Sequence, residues 1–457
     1  MERDPAGQER NGVLRLLSLE LIFADERCAA ALSDQQLLAA MARFEAALAL
    51  SSAELGIVPK QHADVIASMC QRAHFDAAAL ARAARDAGTL AIPFVRELTT
   101  QVASASTDAA RFVHFGATSQ DVIDSALAMC LKASSERTSN LARELGDAAA
   151  DLARRYRDTP SVARTLLQPA IPVPFGWKVA MWLAPLARSL PQYRAAAAAA
   201  STLQFGGAGG TLSAFGDKGN ALGDALATRL QLQSAVTWHS ARDRFARLGC
   251  ETAVLTGITA KIARDVALSM QPEIAELAEP AAPGRGGSSS MPHKRNPAGC
   301  LLALEAARRA PGLAATLLNQ LDAEQERGLG QWQSQWLTLR ELACAGASAL
   351  AAMVEVLRGL QVDVQAMRAN LERSKGLAFS EALSLRLSRT VADRLCEQAV
   401  REGKHLLQVM RNDAEAKQAM PAAEMAALFE PQQLYGSAPQ MIAHVLADWT
   451  SARGSGP

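Results

Sequence analysis

The chain has 457 residues, enough for two or three domains and a large core. Lys and Arg number 47 against 46 Asp and Glu, a net charge of +1 that carries neither the basic surplus of a nucleic-acid binder nor an acidic tail. Aromatic residues make up only 5 %, while alanine is abundant, including the run Ala195 to Ala200, so the composition leans towards helix. The seven cysteines are scattered, form no CxxC pair and are odd in number, which points to reduced thiols rather than a disulfide framework. The seven histidines show no HExxH or other metal-ligand spacing, so no metal is expected. With no signal-like segment before the first helical region and no apolar run near the ~20 residues of a membrane span, the expectation is a cytoplasmic protein without membrane or nucleic-acid partners.

Along the chain, the first polar island is His114-Phe115-Gly116-Ala117-Thr118-Ser119-Gln120-Asp121. It offers two hydroxyls and an amide at a helix start, suited either to capping or to holding a carboxylate. Thr118 followed by Asp121 reads as a capping box. In the long helix that follows, Leu141, Leu145, Ala148 and Leu152 share one face. A second island, Arg164-Thr165-Leu166-Leu167-Gln168-Pro169-Ala170-Ile171-Pro172, reads either as an interhelical loop or as part of a site. The best strand candidate is Leu166 to Val173, although Pro169, Pro172 and Pro174 argue against a regular strand there. The run from Gly206 to Thr211 lacks both a following GK[ST] and the GxGxxG spacing, so a tight turn is expected rather than a nucleotide loop. A helix is predicted from Ser240 to Ala278, with Leu248, Thr252, Leu255 and Ile262 on one stripe.

Next comes a glycine-rich segment, Gly284, Gly286 and Gly287, leading into consecutive serines. Asn296 is a suitable N-cap and Pro297 a suitable first helical residue, so this loop should end at a helix N-terminus running towards Asp322. Free N–H groups there, with the charge of Lys294, favour a bound anion. Trp332 and Trp336 fall on one helical face beyond Arg327, and Ser451 to Pro457 read as a frayed tail. The breaks divide the chain into an N-terminal helical domain at about 1–120, a central bundle at about 121–365 and a C-terminal helical domain at about 366–457.

The stretch Gly287-Ser288-Ser289-Ser290-Met291-Pro292-His293-Lys294-Arg295-Asn296-Pro297 resembles the GSSxMPxKxNP signature of the fumarase/aspartase superfamily at every fixed position. The islands at 114–121 and 164–172 match the other two signature regions of that superfamily in order. The resemblance implies an all-α, fumarase/aspartase-like fold: a central long-helix bundle with smaller N- and C-terminal helical domains. It also implies a homotetramer in which three subunits each contribute one signature region to a shared active site. The implied chemistry is addition or elimination beside a carboxylate of a small di- or tricarboxylate substrate, with no cofactor. Carried over by position, Ser288 is the acid/base, and Lys294 and Asn296 bind the substrate carboxylate. Thr118, Ser119 and Gln120 come from a second subunit, and Thr165 and Gln168 from a third. His114, His293 and Arg327 are further candidates, the two histidines without an assigned role.

One departure is informative. The second region of many such lyases reads Thr-His, and here the second position is Leu166. An amine or hydroxide leaving group needs protonation, and general acid catalysis contributes ~10²–10⁴-fold. A carboxylate with a pKa near ~4 is already ionised and needs no such help. Leu166 therefore fits an intramolecular cyclisation, the lactonisation of a carboxymuconate in protocatechuate degradation. The segments at 164–168, 203–208 and 326–332 resemble the cycloisomerase branch of the superfamily, from which Pro169 and Gln335 depart. The alternatives are an elimination lyase of the adenylosuccinate type, which would want histidine at Leu166, and a non-catalytic helical scaffold.

Overall fold

The structure, a computed structural model, describes residues 22–454. Six of its helices exceed twenty residues: α1 (Asp34–Glu54), α2 (Ser119–Arg155), α3 (Phe175–Ala200), α4 (Asp243–Ser269), α5 (Ala298–Leu318) and α6 (Gln331–Arg358). Extended structure is confined to the pair β1 (Pro160–Thr165) and β2 (Gln168–Pro174) and to two-residue strands β3 (Leu277–Ala278) and β4 (Gln361–Val362) among the described residues. The fold class is therefore all-α. One compact unit takes the described residues up to Asn140 with Gln192–Thr256 and Ala306–Ser348; the other takes Leu141–Pro191, Gly257–Glu305 and the described residues from Ala349.

The helical stripes read from spacing are core. Leu141, Leu145 and Leu152 of α2 are buried, as are Leu248, Thr252, Leu255 and Ile262 of α4. At the start of α2 the Asp121 carboxylate accepts the Thr118 N–H at 3.1 Å, the back-bonding limb of the capping box. In the second unit Gly146 lets α2 lie directly on the Trp449 indole, where a Cβ would come within 2.2 Å of the ring. The Trp449 N–H in turn donates to Asp147 at 2.9 Å.

Two helix ends differ from expectation. α4 stops at Ser269 rather than Ala278, because Pro272 disfavours helix at the residue before it and the Glu276 N–H returns to the Ser269 carbonyl at 3.0 Å. The chain then enters β3, paired with β4. α5 ends at Leu318, short of Asp322. At the C-terminus a helix persists through Ala452, and residues 455–457 of the expected tail lie outside the described residues. Contrary to the reading of apolar runs, α6 is long and apolar enough to cross a membrane by length and composition, yet 67 % of its apolar window is buried within the protein, as befits a core helix.

The prolines of the second island do not prevent pairing. β1 and β2 form an antiparallel ribbon with Pro160 opposite Pro174, Val162 opposite Pro172 and Arg164 opposite Pro169, broken by a bulge between Val162 and Arg164. A two-stranded ribbon is all edge, so a residue without an N–H fits wherever its position faces away from the partner strand.

Candidate active site

In the first unit, the polar island at 114–121 is fixed by a buried network. Asp121 is fully buried, and its carboxylate accepts the N–H groups of Gly206 and Gly207, each at 2.9 Å. Gln204 Nε2 lies at 3.2 Å and His239 Nε2 at 2.9 Å from the same carboxylate. The glycine turn is thus an anion cradle already occupied by the chain's own aspartate, which excludes a phosphate there.

One helical turn on, Asp124 accepts both Arg242 Nη groups at 2.6 and 3.1 Å and the Trp332 indole N–H at 3.0 Å. Arg242 is also held by Gln335, at 3.0 Å from Nε, so the unexpected glutamine serves as a buried acceptor for this guanidinium. The network reaches the candidate site through Gln120, whose amide donates to Asp124 at 3.1 Å and to the His239 carbonyl at 2.8 Å. Its oxygen accepts Arg327 Nε at 3.0 Å, and Arg327 Nη2 donates to Thr118 Oγ1 at 3.2 Å.

Thr118, Gln120 and Arg327 are therefore brought together. However, Gln120 is completely buried and both of its amide protons are spent inside the chain. It has no donor left for a substrate carboxylate, which corrects that expectation and leaves the half-buried Thr118 and Ser119.

His114 sits in the left-handed region (φ 57°) with its backbone N–H and Nδ1 on Glu45, at 3.1 and 2.6 Å. Burial alone would pull its pKa down. The charge of Glu45 and its hydrogen bond more than reverse this, and the pKa lies above the ordinary value. The pair's contribution to stability is then full below the unfolded value near ~6.5 and lost as pH rises through the raised native value. Relative to a His114→Gln variant, the protein is expected to lose thermal stability as pH increases from about 6 to about 9. A pH-independent difference in melting temperature would contradict a charged pair.

In the second unit, the β1–β2 ribbon ends in the two-residue turn Leu166–Leu167, with φ of 50° and 66°. Both positive values are those of a type I′ turn, for which Asn-Gly is the favoured pair. Two leucines here are strained, and Leu166 is 97 % and Leu167 70 % exposed. Thr165 and Gln168 flank the tip, both exposed and opposite each other in the ribbon.

The stem beneath the tip is rigidly held. Arg164 grips Glu276 through two bonds of 2.9 and 2.6 Å, and Lys178 Nζ donates to the Val162 carbonyl at the bulge at 2.7 Å. Burial pulls the Lys178 ammonium down to about 8. Neither Arg164 as a stem anchor nor Lys178 was signalled by a motif.

The serine loop, also in the second unit, is closed at its neck. Asn296 N–H donates to the Gly286 carbonyl at 2.7 Å and Asn296 Nδ2 to the Gly287 carbonyl at 3.2 Å. Gly286 has φ 65°, and a Cβ there would meet the Asn296 carbonyl oxygen at 2.3 Å, so only glycine fits the neck. Within the loop, Ser288 Oγ accepts the Met291 N–H at 3.1 Å and the Ser290 N–H at 3.4 Å. His293 and Lys294 are exposed on the same loop.

The expected anion site at the start of α5 is already filled. The buried Glu279 carboxylate takes the N–H groups of Gly299 and Cys300 at 3.0 and 2.8 Å, and Arg285 lies 3.5 Å from the same carboxylate. The Gly299 and Cys300 N–H groups are therefore not free for a further anion. Burial, with the same carboxylate beside it, pushes the Cys300 thiol well above its ordinary pKa, which disfavours the thiolate.

A hydroxyl receiving two backbone N–H groups is suited to giving up and regaining a proton. A family model described as lyase matches residues 25–312. The chain is 44 % identical over 427 residues to 3-carboxy-cis,cis-muconate cycloisomerase of Bradyrhizobium diazoefficiens, covering 91 % of this chain and 94 % of that one. The chain belongs to the fumarase/aspartase superfamily. Another relative in this superfamily, 3-carboxy-cis,cis-muconate cycloisomerase of Pseudomonas aeruginosa, is 40 % identical over 428 residues, covering 92 % of this chain and 93 % of that one. The solved 3-carboxy-cis,cis-muconate lactonizing enzyme of Pseudomonas putida superposes with a TM-score of 0.90 at 36 % identity, covering 95 % of this chain and 99 % of that one. The fold is thus the all-α fold of that superfamily.

Proposed function

We propose that this superfamily member lactonises 3-carboxy-cis,cis-muconate to γ-carboxymuconolactone in protocatechuate breakdown. The observation that carries the reading is the Ser288 hydroxyl cradled by the Met291 and Ser290 amides, in a chain whose second signature region offers Leu166 where an acid would stand. In the lactonisation, an oxygen of one substrate carboxylate adds to a carbon of the conjugated diene and forms the ring C–O bond. The displaced electron pair moves into the neighbouring carboxylate as an aci-carboxylate. The carbon beside that group then takes the Ser288 proton. The alkoxide left on Ser288 is held by the two amides and the Lys294 charge until solvent reprotonates it. No leaving group departs, so no second acid is needed. Lys294 and Asn296 bind one carboxylate, and Thr118, Ser119, Thr165 and Gln168 hold the others.

The strained, solvent-facing leucine tip supports a shared site in a homotetramer. Exposed apolar residues in an unfavourable backbone conformation are consistent with a surface completed by another copy of the chain, where they would wall off the diene. Converting Leu166-Leu167 to Asn-Gly is expected to stabilise the isolated turn, by about 1–2 kcal/mol for each strained position relieved, and to cut turnover roughly tenfold or more. Unchanged turnover in that double variant would remove the tip from the site.

The competing reading is an elimination lyase. Offered adenylosuccinate, the protein is expected to release no fumarate under conditions where the carboxymuconate is consumed. Fumarate release with the carboxymuconate untouched would reverse the assignment and require another residue to supply the acid missing at Leu166.

A further inference from the structure

3-Carboxy-cis,cis-muconate is a trianion, yet of the residues assigned to it above only Lys294 is a cation. A second cation stands in the first unit, where Arg327 meets the island at 114–121. Its Nε donates to the Gln120 amide oxygen at 3.0 Å and its Nη2 to Thr118 Oγ1 at 3.2 Å. These are its partners among the described residues, and no carboxylate there pairs with it. The Nε–Nη2 edge of the guanidinium is thereby taken up by the chain. The side chain is exposed, and its Nη1 end has no acceptor among the described residues. The turn that carries it is closed by Glu324, whose carboxylate accepts the Leu329 N–H at 3.0 Å and Gln331 Nε2 at 3.1 Å, at the start of α6. Gln325 and Gly330 bend the chain there with φ of 49° and 98°.

On the other side, Gln120 is buried and gives its amide hydrogens to Asp124 and to the His239 carbonyl, which fixes its oxygen towards Arg327. A guanidinium with one edge anchored and the other open is oriented in advance for a carboxylate, which it takes in charge-assisted bonds. Thr118 Oγ1 accepts from Arg327 and keeps its own proton for the same carboxylate. We propose, resting on the lactonisation proposed above, that Arg327 binds a substrate carboxylate and selects a tricarboxylate over a dicarboxylate, with Gln120 as the positioning residue behind it. Gln120 thus acts through its oxygen on the arginine and not through its amide on the substrate. One lysine with neutral hydroxyls and amides leaves a trianion undercompensated. The charge of Arg327 therefore favours the ligand with the additional carboxylate more than the one without it.

The test is calorimetric titration of the full-length protein with propane-1,2,3-tricarboxylate and with glutarate, the same carbon chain without the central carboxylate. The parent is expected to bind the tricarboxylate at least about tenfold more tightly. Arg327→Met should shrink that preference to within about threefold, almost wholly by weakening the tricarboxylate, and should raise KM for the carboxymuconate by about tenfold or more. Arg327→Lys keeps the charge without the fork and should fall between the two. Both variants alter an exposed side chain and should fold as the parent does. A parent without the preference, or an Arg327→Met variant that keeps both the preference and the parent KM, would overturn the proposal. Titration needs no turnover, so the two readings fail separately. A protein that never consumes the carboxymuconate, yet loses the tricarboxylate preference in Arg327→Met, contradicts the lactonisation and supports Arg327 as the selecting residue. Lactonisation by Arg327→Met with parental KM and preference contradicts the role of Arg327 alone.

Discussion

Replacing Ser288 with alanine is expected to reduce kcat by at least the ~10²–10⁴-fold typical of general acid–base catalysis, with KM little changed and the melting temperature within error of the parent. The substitution removes one oxygen from a partly exposed loop whose neck is closed by Gly286 and Asn296, neither of which depends on the hydroxyl. What is lost is the hydroxyl that accepts the Met291 and Ser290 N–H groups and that the proposed mechanism uses for proton transfer. The separation of kcat from KM and from stability matters, because a merely structural serine would move all three. Turnover within a few-fold of the parent would exclude Ser288 from proton transfer. The proton would then have to come from another group, with His293 and Lys294 on the same exposed loop the first to test.

The largest stability effect is expected at Asp124. Its carboxylate is fully buried and accepts four N–H groups, from Arg242 twice, Trp332 and Gln120. Changing it to asparagine turns half of that acceptor into a donor and leaves the Arg242 guanidinium uncompensated in the core. Breaking a buried pair by removing one partner costs about 3–5 kcal/mol. Melting temperature should fall sharply, and turnover should fall with it, because Gln120 would lose the partner that holds it against Arg327 and Thr118. Replacing both members, as in Asp124→Leu with Arg242→Met, should recover much of the stability, since the desolvated charge is then gone. A single variant as stable as the parent would mean that the network is not the keystone of the first unit.

How much of this was legible in the sequence depends on where each partner lies. The capping role of Asp121 and the buried stripes of α2 and α4 are local patterns that spacing reveals, and the serine loop is a local motif that its resemblance to the superfamily signature marks out. The rest depends on partners distant in sequence. Glu279 fills the N-terminus of α5 from 20 and 21 residues away, so an end that looked open for an anion is closed. Asp121 takes the amides of a glycine turn 85 and 86 residues away, and Arg327 reaches Thr118 across 209 residues. No local window shows that Gln120 has already spent its donors. The strand candidate of the second island is present as β2, and its prolines are no obstacle, because they exclude a strand from the middle of a sheet but a free-standing ribbon has no middle. The turn at Leu166–Leu167 carries no Gly or Asn to announce it, and a strained turn built from leucines is legible only once the backbone angles are known.

The central claim, that this chain closes a lactone ring without expelling a leaving group, is tested most directly by mixing the purified protein with 3-carboxy-cis,cis-muconate. Loss of the diene absorbance is followed, and the product is identified by NMR. The account requires rapid, complete loss of absorbance with γ-carboxymuconolactone as the sole product. A diene that persists in the presence of folded protein, or that disappears into an open-chain product, would contradict it.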